Sequence, residues 1–547
     1  MTQRSFAEVA RAVAGGTMSR RQVLAWIGGV LAGAALARFP GLASAASVGD
    51  QTELDVPVQH GVQFRGLRLP AKNRSLEGRF GLMFKELPAF EPPDELLSGL
   101  AASMQEPRAA TPEETDILRP ERFPAGHILL GQFIDHDLTF DNTPLPEQQE
   151  DPLARTNFRT ARFDLDSLYG VGPSVSPELY DRDDPAKLRL TGLADPDTPD
   201  DLPRRSGGSA DGTAIIGDPR NDENLIILQL HIAFVKFHNA LVDHVRAQGG
   251  SSGVDEAFQK AQRLCRWHYQ WMVVHDFLPR VVGQTMVDAI LKERAAEPPI
   301  VRLNFYQPAN PDKPMMPIEF AVAAYRFGHS MLRPTYVINE DMGEVKGEVV
   351  EAALFGEQST NSNLNGKRPC PPELVIDWRF FFDIPDADPP ANAARRNAAR
   401  KLDSDLSVPL FTLPDSVIPP PDRTHISLAE RNLLRGKRLG LPSGQRVARK
   451  MRVDALSNGQ LGLGDDPGWE GQAPLWFYIL KEAEIQHDGE RLGAVGGRIV
   501  AEVFLGLLKL DRSSYLGQNP PWRPQPPIAG AAGRFGIGDL LKFAGAA

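Results

Sequence analysis

The stretch Gly131-Gln132-Phe133-Ile134-Asp135-His136-Asp137 puts an amide, two carboxylates and an imidazole within seven residues. On a helix, Gln132, Asp135 and His136 fall at i, i+3 and i+4, so they share one face while Asp137 turns away. An imidazole in such company suits proton transfer or metal ligation. Leu129, Leu130, Phe133 and Ile134 bury the segment, so its polar groups need partners. Four adjacent polar groups on a buried helix point to a site more than to a packing element. Taken alone, Asp135-His136-Asp137 would suit a solvated turn or a transition-metal site equally well.

Three further groupings add chemistry. In Gly217-Asp218-Pro219-Arg220-Asn221-Asp222-Glu223-Asn224, Arg220 and Glu223 stand at i and i+3 in a first helical turn and can face one pocket. A solvated ion pair at that spacing, contributing a few tenths of a kcal/mol, is the plain alternative. Tyr325-Arg326-Phe327-Gly328-His329 follows the apolar run Phe320 to Ala324, where a histidine is either a satisfied core residue or a ligand. Thr160-Ala161-Arg162-Phe163-Asp164-Leu165-Asp166 places oxygen groups at every second position, which suits a loop around a hard cation. Scattered surface acids are the alternative there. His231 and His238, seven apart on one face, read as structural histidines.

Taken in order, residues 131–137, Thr160–Gly170, Asp218–Asn239, Tyr325–Pro334 and Asn432–Gly444 resemble the animal-type haem peroxidase superfamily, and its bacterial members most closely. The resemblance implies a secreted enzyme that reduces hydrogen peroxide at haem b through a ferryl state and then oxidises a small donor. It implies Gln132, His136 and Arg220 as the catalytic groups above the haem and His329 as the iron ligand. Asn432 would hold the other nitrogen of His329, and Arg435 and Arg326 would meet haem propionates. Asp135 and Glu223 match the carboxylates that can esterify the haem. The calcium ligands would be the Thr160 hydroxyl, the Arg162 carbonyl, and the Asp164, Asp166 and Asp137 carboxylates. Animal members usually offer a hydroxyl where this chain has Asp166. In the most strongly oxidising members a methionine after the esterified glutamate forms a third, sulfonium link. That position is Asn224, so oxidation of iodide, bromide and aromatic donors is expected, with poor oxidation of chloride.

Two other readings stay open. A fatty-acid dioxygenase or cyclooxygenase-like oxygenase would need a radical-forming tyrosine three residues before the ligand histidine. That position is Arg326, and Tyr325 is one step off, about 100° around a helix. A matrix protein without chemistry would not need Gln132, His136, Arg220 and His329 together.

The elements that position these groups are mostly helical. Residues 219–247 form the clearest helix, capped by Asp218, with Pro219 at its first position and Leu225, Leu228, Ile232, Val235 and Leu241 on its buried side. A second covers 254–278 and is ended by Pro279. Others are expected near 317–331, 426–436, 474–487 and 492–508, with few short strands. The fold class is mainly α, a large single-domain helical haem peroxidase fold with long loops and little β. Residues 46–115 read as an extended, Pro-rich lead-in and 116–547 as the catalytic domain.

Composition agrees with a globular enzyme. Of 547 residues, 24% are charged and 42% hydrophobic. The 47 prolines and 49 glycines suit long rigid connections. A net charge of -10 with no basic block argues against nucleic acid. Ser19-Arg20-Arg21-Gln22-Val23-Leu24, the apolar run to Ala37, and Ala43-Ser44-Ala45 read as a cleaved twin-arginine signal over residues 1–45. Twin-arginine machinery would export the chain, folded with its cofactor, to the periplasm or the medium. No stable membrane span is expected after cleavage. With only Cys265 and Cys370 present, no disulfide framework supports the exported fold.

Overall fold

The computed structural model describes residues 80–107, 117–139, 161–192, 199–207, 212–249, 253–294, 297–310, 314–341, 344–345, 348–356, 362–390, 393–415, 417–418, 424–464, 466–530 and 533–547. The signal over 1–45, the start of the lead-in and Thr160 lie outside them.

The lead-in is not uniformly extended. Its described part carries helix α1, Asp94–Ser103, whose Leu97, Leu100 and Ala101 are buried. Phe80–Gly81 pairs in parallel with Met316–Pro317. The buried carboxylate of Glu319 accepts the N–H groups of Met83 (3.0 Å) and Phe84 (2.9 Å). Burying Phe84, Phe90, Leu97 and Met104 contributes roughly 1.5–3 kcal/mol for each side chain. Residues 80–107 therefore pack into the same hydrophobic core as the helices that follow.

Helix α2, Gly126–Leu138, carries the polar heptapeptide. Leu129, Leu130, Phe133 and Ile134 are at most 1% exposed, as their spacing required. Across from it runs α3, Leu225–Ala247, the long core helix. Phe133 stacks on Phe234 between them at 4.7 Å. The expected start at Pro219 is corrected. Pro219–Asp222 forms a separate 3-10 turn capped by Asp218, and Asn224 starts α3 by accepting from Ile226 N–H. Two cap residues six apart make two starts. Among the described helices only α3 is long and apolar enough to cross a membrane, and 78% of its apolar window is buried inside the protein.

Helix α4, Val254–Met272, packs along α3. It does not end at Pro279. It widens into a π-helical turn, Val273–Phe277, and resumes as Leu278–Val282 with proline in the first turn, where a missing N–H costs least. The element expected near 317–331 is a π turn, Glu319–Ala323, followed by a 3-10 helix, Ala324–His329. Ala323 departs from helical geometry (φ -127°, ψ -73°), so the chain turns there. Helices α5, Leu428–Arg438, α6, Leu475–His487, and α7, Ala494–Leu510, lie within a few residues of their expected bounds. The described strands are two residues long, in two-stranded pairs. Both cysteines are buried free thiols.

Candidate active site

Three residues per turn in the 3-10 helix bring Arg326 and His329 onto one edge. Both reach Asn432 of α5. Arg326 Nη1 donates to Asn432 Oδ1 (2.6 Å), and Asn432 Nδ2 lies 2.8 Å from His329 Nδ1. Asn432 is 1% exposed, so this amide is a fixed wedge behind the imidazole. Trp476 of α6 closes the rear by donating to Arg326 O (3.2 Å). Burial, with the Arg326 charge beside it, pushes the His329 pKa down to about 3, so the ring stays neutral. As placed, the Asn432 NH2 donates to Nδ1, which leaves the ring proton on Nε2. Ligation of a metal through Nε2 requires the Asn432 amide to turn so that its oxygen accepts from Nδ1–H.

His329 lines a cavity of about 240 Å³ that Gln132, Asp135 and His136 of α2 also line. Glu223 and Arg326 complete the charged lining, and Tyr325 joins it. His136 is 5% exposed, and its Nδ1 lies 2.7 Å from Asn221 Oδ1. With that oxygen as acceptor, His136 carries its proton on Nδ1, so its basic nitrogen is Nε2. Asn221 Nδ2 lies 3.1 Å from His231 Nδ1. Burial lowers the His231 pKa to about 4, so His231 is a neutral acceptor at the end of this chain. His238, held by Tyr169 Oη (3.0 Å) and Ala186 O (2.9 Å), is structural as expected.

Arg220 is placed differently from the expectation. It does not line the cavity of His136 and His329. With Arg326 and Arg435 it lines an adjoining pocket of about 80 Å³, and Asp135 stands between the two spaces. Its Nη2 donates to Asp218 Oδ2 (2.7 Å) and to the carbonyls of His136 (3.0 Å) and Thr139 (2.7 Å). The separate 3-10 turn accounts for this, because it aims Arg220 at the C-terminal end of α2, where carbonyls and the helix dipole favour a cation.

Asp135 and Glu223 both face the cavity. Burial raises both pKa values, opposed at Asp135 by Arg220, by the Thr139 hydroxyl (2.9 Å) and by Arg326, and at Glu223 by Lys367 and Arg220. On the far face of α2, Asp137 gathers with Asp164 and Asp166, their ligand atoms within 4.8 Å of one another. Asp137 is fully buried and Asp166 is 4% exposed. Clustered buried carboxylates repel unless a cation joins them. Arg162 lies in the same loop, its side chain turned to Asp511 (3.4 Å). Gly217 clamps this loop to the Arg220 turn, since a Cβ there would lie 2.7 Å from the carbonyl oxygens of Asp166 and Ser167.

Two residues escaped the sequence reading. Asn221 sits between Arg220 and Glu223 in the very turn that drew attention, but nothing in its spacing connects it to His136, 85 positions away. Tyr325 stands one position away from where a radical-forming tyrosine would be needed. It lines the cavity, and its hydroxyl donates to Gly131 O (3.1 Å).

A family model described as animal haem peroxidase matches residues 122–443, more than half of the chain. Peroxidasin of Drosophila melanogaster is 23% identical over 391 residues, which is 66% of this chain but 23% of that protein. The chain thus spans about a quarter of that relative's length. Peroxidase A from Dictyostelium discoideum has a similar fold, with TM-score 0.58 and 14% identity over 86% of this chain and 93% of that one. The fatty acid alpha-dioxygenase of Arabidopsis thaliana has TM-score 0.54 and 15% identity, over 78% of this chain and 71% of its own. At such identities these structures establish the fold alone. The family match, with the helical architecture, shows that this chain belongs to the animal haem peroxidase family.

Proposed function

We propose that the chain is a peroxidase that reduces hydrogen peroxide at haem b and oxidises iodide, bromide or small aromatic donors. The observation that carries this is the convergence of Gln132, His136 and His329 on one cavity, with His329 anchored by Asn432. The donor set fits a haem: a neutral buried imidazole, two carboxyl groups facing the cavity, and arginines at its edge. His329 would hold the iron through Nε2. Arg326 and Arg435 would meet the propionates. Asp135 and Glu223, raised by burial toward the neutral acid, would form the ester links. When bound, the haem supplies the redox chemistry.

The chain's own groups then do acid–base work. His136 Nε2 takes a proton from peroxide and returns it to the departing oxygen, while Asn221 keeps the other nitrogen protonated. The Gln132 amide orients peroxide, water or a halide. Arg220 supplies fixed positive charge from the neighbouring pocket and holds the end of α2. Asn224 lines the cavity but spends its side-chain oxygen on Ile226 N–H (2.9 Å), and it has no sulfur for a third haem link. The haem is then less electron-poor, and chloride should be a poor substrate.

Calcium at Asp137, Asp164 and Asp166, with the Arg162 carbonyl and Thr160, would neutralise the acidic cluster and fix α2 from its far face. The amino-terminal twin-arginine pattern supports export to the periplasm or the medium.

A second reading, oxygenation of fatty acids, is favoured by Tyr325 in the cavity and by the dioxygenase-like fold. Against it, the Tyr325 hydroxyl is tied to Gly131 O, and Arg326 occupies the position three before His329. One assay separates the readings. Haem-loaded protein should turn over peroxide with iodide or a phenol. Oxygen uptake with a polyunsaturated fatty acid, without peroxide turnover, would reverse the assignment.

A further inference from the structure

Away from the cavity, aromatic rings gather where the end of α4 meets the segment after α7. Trp271 stacks on His275 with centroids 3.9 Å apart and planes 27° apart. The π turn at 273–277 carries His275 in this position. Tyr515 lies 5.4 Å from Trp271 and 6.3 Å from Trp522. Its hydroxyl is 3.2 Å from His275 Nε2, and the same nitrogen is 3.3 Å from Glu293 Oε1. Tyr515 is buried, Trp522 half-buried and Glu293 exposed. With Arg294 and Arg523, these three line a surface depression of only about 10 Å³, so a bulky donor would rest over it and not inside it.

Rings in succession lead from the cavity as far as Tyr269, and the backbone of α4 spans the remaining step to the cluster. Tyr325, which lines the cavity, is 5.2 Å from Phe504, Phe504 is 5.1 Å from Phe163, and Phe163 is 6.0 Å from Tyr269. Tyr269 and Trp271 leave the same helix two residues apart. Gln270 between them ties both ends down, donating to Phe163 O (2.9 Å) and accepting from Tyr515 N–H (3.0 Å).

We propose that Tyr515, with His275, Glu293, Trp271 and Trp522, is a second oxidation site, at which bulky phenols deliver electrons without entering the cavity. This rests on the peroxidase reading. Tyrosine and tryptophan are among the side chains most easily oxidised by one electron, and a tyrosine that loses an electron must also lose its proton. His275 Nε2 is placed to take that proton, and Glu293 to stabilise the resulting imidazolium. Each turnover balances. One hydrogen peroxide takes up two electrons and two protons and becomes two waters. Each electron comes from Tyr515 by way of Trp271, and each Tyr515 proton passes to His275. A phenol resting on the surface pocket then returns one electron to Tyr515, and His275 hands the proton back. The phenol's own proton goes to solvent, which supplies the two protons that peroxide takes up. The phenol leaves as a phenoxyl radical, so two donors are used per peroxide. Arg294 is paired with Glu297 and Arg523 faces Glu293, so the pocket carries no net positive charge.

The test uses haem-loaded protein, a sulfonated phenolic azo dye as the bulky donor and iodide as the small one. Peroxide added with a nitroso spin trap should leave adducts on the peptides holding Tyr515 or Trp522. Tyr515→Phe should lose those adducts at Tyr515 and cut dye turnover roughly tenfold, with iodide turnover within about twofold of wild type. His275→Gln, which keeps a hydrogen-bonding group but cannot take the proton, should lower dye turnover in the same selective way and guards against a folding defect in the first variant. Adducts confined to cavity residues such as Tyr325, or unchanged dye turnover in both variants, would overturn the second site and leave the peroxidase reading standing. No spectral response to peroxide in wild type would overturn both.

Discussion

Asn221 offers the sharpest test of how the site is held. It is fully buried and bridges His136 Nδ1 (2.7 Å) to His231 Nδ1 (3.1 Å). Asn221→Ala removes both contacts and leaves two buried ring nitrogens without their partner. At about 1–3 kcal/mol for each such group, the stability loss should be on the order of 3 kcal/mol. The effect on chemistry is separate. Without an acceptor at Nδ1, the His136 proton is free to sit on Nε2, and that tautomer cannot take a proton from peroxide. The loss should be smaller than the 10²–10⁴-fold that general acid–base catalysis typically supplies, so roughly 10- to 100-fold in the rate of reaction with peroxide. Asn221→Asp restores an acceptor and adds negative charge, which raises the basicity of His136. The acidic limb of its pH–rate profile should therefore move to higher pH. Stopped-flow mixing with peroxide, on protein whose haem spectrum is normal, measures both. A wild-type rate in Asn221→Ala would refute the claim that this amide sets the working tautomer.

Other outcomes follow from the same geometry. His136→Ala should keep its haem yet react with peroxide on the order of 10²–10⁴ more slowly, and rapid reaction in stopped flow would remove His136 from the mechanism. Asp137→Ala should lower thermal stability and activity together, and metal analysis of active wild-type protein that finds no calcium would exclude the cation site. Haem that extracts fully into acid acetone, with no mass added to the denatured chain, would show that Asp135 and Glu223 form no esters. Glu482 gives a pH prediction. Burial pushes its pKa from 4.5 up to about 7, against the pull of the Val495 and Gly496 N–H groups. The folded state therefore holds the proton that the unfolded state releases between these values. Its contribution to stability is full below the unfolded pKa and falls as pH rises to about 7, by up to about 3 kcal/mol at 1.36 kcal/mol per unit. Denaturant titrations of wild type and Glu482→Gln at pH 5 and pH 8 should show the larger fall in wild type, and an equal or reversed difference would contradict it.

Most of what could be read in the sequence was local. The 3.6-residue period placed Gln132, Asp135 and His136 on one face of α2 and Asp137 on the other, and the structure keeps that split between the cavity and the acidic cluster. Five short segments in order were enough for the family, because each carries a rare combination of polar groups in an apolar setting. What was missed depends on tertiary context. Arg220 looked like a first-turn partner of Glu223. Asn224, a second cap six residues after Asp218, split the helix and sent Arg220 to the carbonyl end of α2. The π turns at 273–277 and 319–323 leave no periodicity signal over five residues, yet the second leads directly into the 3-10 helix that carries Tyr325, Arg326 and His329. Helix α1 hid in a Pro-rich stretch because its stability comes from packing on α5, with Ser98 donating to Glu430 (2.8 Å). Asn221 was invisible because its partners are remote in sequence.

The central claim is that His329, backed by Asn432, holds a haem in the cavity that His136 overlooks. It is tested most directly by the optical spectrum of protein titrated with haem, wild type against His329→Ala. Wild type should give a sharp Soret band that saturates at one haem per chain and changes on addition of peroxide. His329→Ala should lose or greatly weaken that band while its far-ultraviolet circular dichroism stays helical. A His329→Ala protein with an unaltered Soret band and an unaltered peroxide response would contradict the account.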